Sequence, residues 1–261
     1  MTRYLAAVAA VLLSAPLLAA DARVAIIIDD LGYRKADGVR AVELPGPVAV
    51  AVLPDAPLAA TLARAAHAAG KEVLVHLPLQ AVHDDGLDEP GSIMLDTTRQ
   101  GFSAAFRRAV LAVPHASGVN NHRGSLLTRH PGHMRWLMEE IGGQATWFFV
   151  DSYTTHHSVA LAIAREHGIP AAKRDVFLDS DRDPASIERA FERLKRLARE
   201  QGSAIGIGHP FPETLAFLEA ALPRLAAEGI ELVAPGDLLD SRESPAEYRA
   251  GLDSARVLAK P

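Results

Sequence analysis

Two aspartates stand side by side at the end of an apolar run. Residues 24–35 read VAIIIDDLGYRK, and Asp29 and Asp30 follow three consecutive isoleucines. Like charges this close repel, and burying either one unpaired is costly, so the pair calls for solvent or for a cation. Other apolar runs also end abruptly in polar residues. His76 interrupts EVLVHLPL, GVNNH supplies Asn120, Asn121 and His122, TWFFVD ends in Asp151, IPAAKRDVFLD carries Asp175 and Asp179, and AIGIG leads into His209. Of the 11 histidines, those at 67, 83, 115, 130, 133, 156, 157 and 167 fall in helical or loop patterns and are read as surface or packing residues.

Imidazole together with carboxylate suits a divalent cation and leaves coordination positions open for water. Such a cation brings the pKa of a bound water towards about 7. A neighbouring carboxylate then takes a proton, and a histidine across the site protonates a leaving group. In this reading Asp30 is expected to hold the cation and Asp29 to act as base, with the cation relieving their repulsion.

These residues need a scaffold that gathers them. After residue 22, short β-branched runs (24–29, 47–54, 72–79, 118–122, 146–151, a weak one within 169–179, 204–210 and 230–235) alternate with amphipathic helical patterns. Short continuous apolar strands fit a parallel sheet buried on both faces. In DPASIERAFERLKRLAREQG, Ile187, Phe191, Leu194 and Ala198 recur at helical spacing, Asp183 is placed to cap, and Gly202 follows the end. The expected fold is a single-domain α/β protein, a distorted (β/α) barrel of seven to eight units, with a doubly wound open sheet as the alternative. In either architecture the C-terminal strand ends share one face, so the scattered aspartates and histidines are expected to meet there.

The chain has 261 residues, 49% hydrophobic and 23% charged, with net charge −5 and no cysteine. This excludes disulfides and thiolate chemistry, and offers no basic surface for nucleic acid. No GxGxxG follows the first strand, no Walker, GxSxG or HExxH pattern is present, and DDLG lacks the Asp-x-Asp spacing of aspartyl-phosphate phosphatases. Residues 1–22 read as a cleavable signal peptide: an early arginine, an apolar run broken by Pro16, and a small-x-small site at Ala20-Asp21-Ala22. The expected organisation is a signal at 1–22, a barrel at 23–240 and a polar tail at 241–261. The mature protein is expected in the periplasm or outside the cell, with no stable membrane insertion after cleavage.

In combination and in this order, IIIDDLG, HLPL, GVNNHRGS and GIGHP resemble the divergent polysaccharide deacetylase family, relatives of the NodB-type carbohydrate esterases, over about residues 24–239. The resemblance implies a NodB-like barrel and metal-dependent removal of acetyl groups from a glycan. It matches Asp29 to the base, Asp30 to the metal aspartate, His76 to the first metal histidine and His209 to the general acid. The second histidine of the NodB pair is replaced by Gln80, so His122 is expected to complete the metal set. Asn121, Gln80, Asp151 and Asp175 are expected to contact substrate or support the ligands. The implied cofactor is a divalent metal, zinc being the first choice, and the implied partner is an acetylated cell-envelope or extracellular glycan. The alternative is a catalytically inactive envelope protein that binds a glycan or a cell-wall-remodelling partner.

Overall fold

A computed structural model describes residues 22–83 and 91–242. The expected leader and tail lie outside the described residues, apart from Ala22, Ser241 and Arg242 at their margins. Parallel strands β1 (Ala22–Leu31), β2 (Ala49–Val52), β3 (Val73–Leu79), β4 (Gly118–Arg123), β5 (Phe148–Asp151), β6 (Ala171–Lys173), β7 (Val176–Phe177), β8 (Ser203–Gly208) and β9 (Ile230–Leu232) alternate with helices. The helices are α1 (Lys35–Val42), α2 (Ala59–Ala68), α3 (Arg99–Ala112), α4 (Pro131–Gly142), α5 (Ala160–Glu166), α6 (Pro184–Gln201), α7 (Pro212–Ala221) and α8 (Pro235–Arg242). No described helix is long and apolar enough to cross a membrane.

The strand order is β6-β5-β4-β3-β2-β1-β8-β7, with β9 beside the start of β1. This is the expected barrel, curled and incompletely closed. The weak sixth strand is in fact two short ones separated by a kink. At that kink Arg174 N–H donates to Asp151 C=O and Asp175 N–H donates to Ile205 C=O, each at 2.9 Å. One segment thus spans both sheet edges, and closure comes from chain continuity in place of a full ladder.

Local chemistry explains the helix limits. Asp183 accepts from Ser186 N–H at 3.0 Å, Pro184 occupies the first turn of α6, and Gly202 takes the left-handed conformation (φ 81°) that ends it. The pattern after β8 predicts one helix through to Gly229, but α7 stops at Ala221. Pro223 has no N–H to continue the ladder, and the chain goes on as 3-10 turns over Leu222–Glu228.

Successive residues of a strand face opposite sides, and this alternation divides the core in two. Ile26, Ile28, Val50, Val75 and Phe149 pack outward under the helices. Ala25, Ile27, Ala49, Ala51, Leu74, Phe148, Val150, Ile205 and Ile207 fill the barrel, with Leu238 and Leu239 of α8 among them. The inward column therefore continues from Ile27 to Asp29, from Leu74 to His76, from Val150 to Ser152 and from Ile207 to His209. An apolar barrel floor ends in a polar layer at the C-terminal mouth.

Candidate active site

Adjacent residues on a regular strand point to opposite faces, so Asp29 and Asp30 should not share a site. A distortion of β1 brings them together. The β1–β2 register shifts between Ile28 and Leu31, and Asp30 takes a left-handed conformation at φ 58°. Aspartate tolerates that region better than most residues, though holding it there costs on the order of 1 kcal/mol. Gly32 follows at φ 135°, where an added Cβ would stand 2.4 Å from the Ala56 Cβ, so both its backbone conformation and its surroundings require glycine.

At the mouth, Asp30 Oδ1 lies 3.1 Å from His76 Nε2 and 2.9 Å from His122 Nδ1. Those two nitrogens are 3.1 Å apart. His76 and His122 come from neighbouring strands, in register as His76 opposite Asn120 and Pro78 opposite His122. Asp30 Oδ1 is buried and receives no hydrogen bond from a protein donor. Three acceptor-capable atoms thus converge on one small space, a donor set suited to a divalent cation. Burial pushes the Asp30 carboxyl up, but the imidazoles of His122 and His76 outweigh it and hold the group well below the usual carboxylate range.

Asp29 is fully buried beside this triangle. Its Oδ1 accepts from Asn120 Nδ2 at 2.7 Å, and its Oδ2 lies 3.6 Å from His76 Nε2. Burial raises its pKa, more than His76, His209 and the Asn120 amide lower it. On the opposite side His209 Nε2 is 3.8 Å from Asp30 Oδ2. His209 Nδ1–H donates to Asp179 Oδ1 at 2.9 Å, and Asp179 Oδ2 also accepts from Thr214 Oγ1–H at 2.8 Å. Burial pulls the His209 imidazole down, but the Asp179 hydrogen bond and the Asp179, Asp30 and Asp29 charges outweigh it and push it up to about 9. His209 is therefore a cation at neutral pH.

The structure gathers Asp29, Asp30, His76, His122 and His209, and moves other expected residues away. Gln80 Oε1 accepts from Leu95 N–H at 2.8 Å, so its side-chain oxygen is engaged by the backbone. Asp175 precedes β7, and its Oδ2 accepts from Ile205 N–H at 2.8 Å, so it ties strands together and does not face the mouth. Asp151 caps a turn, accepting from Tyr153 N–H at 2.8 Å and Ser158 Oγ–H at 2.6 Å. Asn121 points away from Asn120, bridging Ser152 N–H (2.9 Å) and Arg123 C=O (2.8 Å), and so supports the strand ends.

Two inward residues have roles that the sequence reading did not assign, although Asn120 was among the polar residues it marked at the strand ends. Asn120 lies between His76 and Asp29. Arg174 donates from Nε to Ser152 C=O at 2.7 Å and from Nη2 to Tyr153 C=O at 2.9 Å, and its guanidinium covers the Phe177 ring at 3.6 Å. Burial lowers Arg174 to about 10, against the carboxylates of Asp151, Asp175 and Asp29, and it stays charged beneath the site. The available signal was strand parity: Asn120 shares that of His122, and Arg174 that of Ala172.

A cleft of about 370 Å³ opens from the site between the loops after β1 and β8. Asp30, Tyr33, Arg182, His209 and Phe211 line it, and Arg182 covers the Phe211 ring at 4.4 Å.

A model of the divergent polysaccharide deacetylase family matches residues 26–239. The chain belongs to this family. Among its relatives, the uncharacterized protein YibQ of Escherichia coli strain K12 is 37% identical over 236 residues, covering 90% of this chain and 72% of YibQ. The crystal structure of the uncharacterized protein ATU2773 from Agrobacterium tumefaciens C58 matches with a TM-score of 0.79 and 25% identity, over 83% of this chain and 89% of that one. BA3943, a CE4 family pseudoenzyme from Bacillus anthracis, shares the fold at TM-score 0.52 and 14% identity, over 83% of this chain and 65% of that one. The family is thus built on a fold that also carries a protein described as a pseudoenzyme, so the activity of this member has to be argued from its own residues.

Proposed function

We propose that this family member is an exported, metal-dependent deacetylase of an acetylated envelope or extracellular glycan. The observation that carries the reading is the triangle of Asp30 Oδ1, His76 Nε2 and His122 Nδ1, flanked by a buried carboxylate on one side and a cationic imidazole on the other. Asp30, His76 and His122 would hold the metal, and zinc suits two imidazoles with one carboxylate. When bound, such an ion supplies Lewis-acid polarisation of an acyl oxygen and an acidified water.

The protein's own groups divide the proton work. Asp29 Oδ1 is engaged by Asn120, which leaves Oδ2 to accept a proton from the attacking water. Its burial makes it a stronger base than a solvated aspartate. His209 keeps Nδ1–H on Asp179 and presents a protonated Nε2 on the cleft side, from which a leaving amine or alcohol takes its proton. Arg182 and Phe211 close one side of the cleft, and Tyr33 offers a half-exposed aromatic face to a sugar ring. Export rests on the reading of residues 1–22 as a signal, and cell fractionation of a tagged full chain tests it.

The enzymatic reading is tested by acetate release. Purified, zinc-loaded protein is offered N-acetylated peptidoglycan, chitin oligomers and O-acetylated polysaccharides, with Asp29→Asn as the control. Acetate from one class by the parent chain, and about 100-fold less from the variant, supports the proposal. No acetate from any class, with metal bound, favours a glycan-binding envelope protein instead.

A further inference from the structure

We propose that Asn120 is a positioning residue that sets the tautomer of His76 for metal binding and, through the same amide, holds Asp29 in place. The part concerning Asp29 rests on the deacetylase reading; the part concerning His76 does not. Asn120 sits on β4, fully buried, and opposite His76 in the β3–β4 register. Its Nδ2 is 2.7 Å from Asp29 Oδ1 and its Oδ1 is 2.8 Å from His76 Nδ1.

The orientation of this amide is not arbitrary. A carboxylate only accepts, so the NH₂ end must face Asp29. The carbonyl end must then face His76, and a carbonyl also only accepts, so the proton of the neutral imidazole resides on Nδ1. His76 Nε2 is left with its lone pair, directed at the space shared by Asp30 Oδ1 and His122 Nδ1, each 3.1 Å away. The remaining Nδ2 proton lies towards Ser152 Oγ at 3.5 Å. Flipping the amide would set its oxygen against the Asp29 carboxylate in a buried space, so this order is locked. The Asp29 charge therefore fixes Asn120, and Asn120 makes His76 ready as a ligand.

Two variants separate the two halves. Asn120→Asp keeps an acceptor for His76 Nδ1–H but replaces the N–H that Asp29 receives with a carboxyl oxygen, and two buried carboxyls this close share a proton, which occupies Asp29 as a base. Asn120→Ala removes both. The readouts are imidazole ¹⁵N shifts, zinc affinity by competition with a chromophoric chelator, acetate release and thermal melting. The parent is expected to show His76 protonated on Nδ1. Asn120→Ala is expected to mix the tautomers and weaken zinc by about 10- to 100-fold. Asn120→Asp is expected to keep the tautomer and bind zinc within about threefold of the parent, while acetate release falls by at least about 100-fold.

An alanine variant with the parent tautomer and zinc affinity overturns the role towards His76. An aspartate variant with parental acetate release overturns the role towards Asp29. Should the alanine variant fail to fold, the near-isosteric aspartate variant decides: loss of the Nδ1–H tautomer there also overturns the proposal. A parent that releases no acetate defeats the deacetylase reading, while the nitrogen shifts and zinc affinity still decide the role of Asn120 towards His76.

Discussion

Asp179 holds His209 at two points: Oδ1 accepts from the imidazole Nδ1–H at 2.9 Å, and Oδ2 accepts from the His209 backbone N–H at 2.6 Å. One carboxylate thereby fixes both the position and the charge of the proposed acid. The His209 pKa of about 9 in the folded protein exceeds the ordinary 6.5, so the interaction stabilises the fold fully below pH 6.5 and is lost as pH rises through 9. Its ceiling is on the order of 3 kcal/mol. In chelator-treated protein, the stability advantage of the parent over His209→Gln is expected to shrink between pH 6.5 and 9.5 in urea titrations. An advantage that grows over that interval would contradict the assignment.

The metal triangle makes a prediction that needs no substrate. Zinc at about 100 times its dissociation constant should stabilise the parent by about 2.7 kcal/mol, and a chelator should reverse the gain. For a domain of this length that is roughly 5–10 °C in Tm. Asp30→Ala, His76→Ala and His122→Ala should each abolish the zinc-dependent shift and reduce metal content by elemental analysis. A variant that keeps stoichiometric metal removes its residue from the site.

Gln80 stands where the sequence resemblance expects a second metal histidine, and its Oε1 accepts from Leu95 N–H. Gln80→Ala should leave zinc affinity within about twofold of the parent and cost about 1 kcal/mol, read as a Tm lower by about 2–4 °C. Gln80→His should not tighten zinc. Tighter binding by that variant would show that the loop after β3 can deliver a ligand.

Tyr33 is 50% exposed on the wall of the cleft. Tyr33→Ala should raise KM for an acetylated oligosaccharide several-fold, with kcat and Tm little changed, while Tyr33→Trp retains parental KM. The magnitude follows from losing about 1 kcal/mol of ring stacking. An unchanged KM for the alanine variant would assign sugar contact elsewhere in the cleft.

Much of this protein was legible in its residues. The alternation of β-branched runs with amphipathic segments specified a parallel α/β barrel, because each pattern buries its apolar side in only one way. The abrupt polar ends of those runs marked Asp29, Asp30, His76, His122 and His209, since polar groups survive at the end of a buried strand only where partners or solvent meet them. The tertiary structure decided which of the strand-end residues meet. Asp30 joins Asp29 through a left-handed turn that no periodicity announces. Asp175 is drawn into strand pairing by the β6–β7 kink, and its neighbour Arg174 enters the barrel instead. Asn120 becomes a link because the β3–β4 register sets it opposite His76. Strand direction and apolar content are local properties, whereas register and the face a residue presents depend on partners distant in sequence, and a shift of one residue exchanges the two faces.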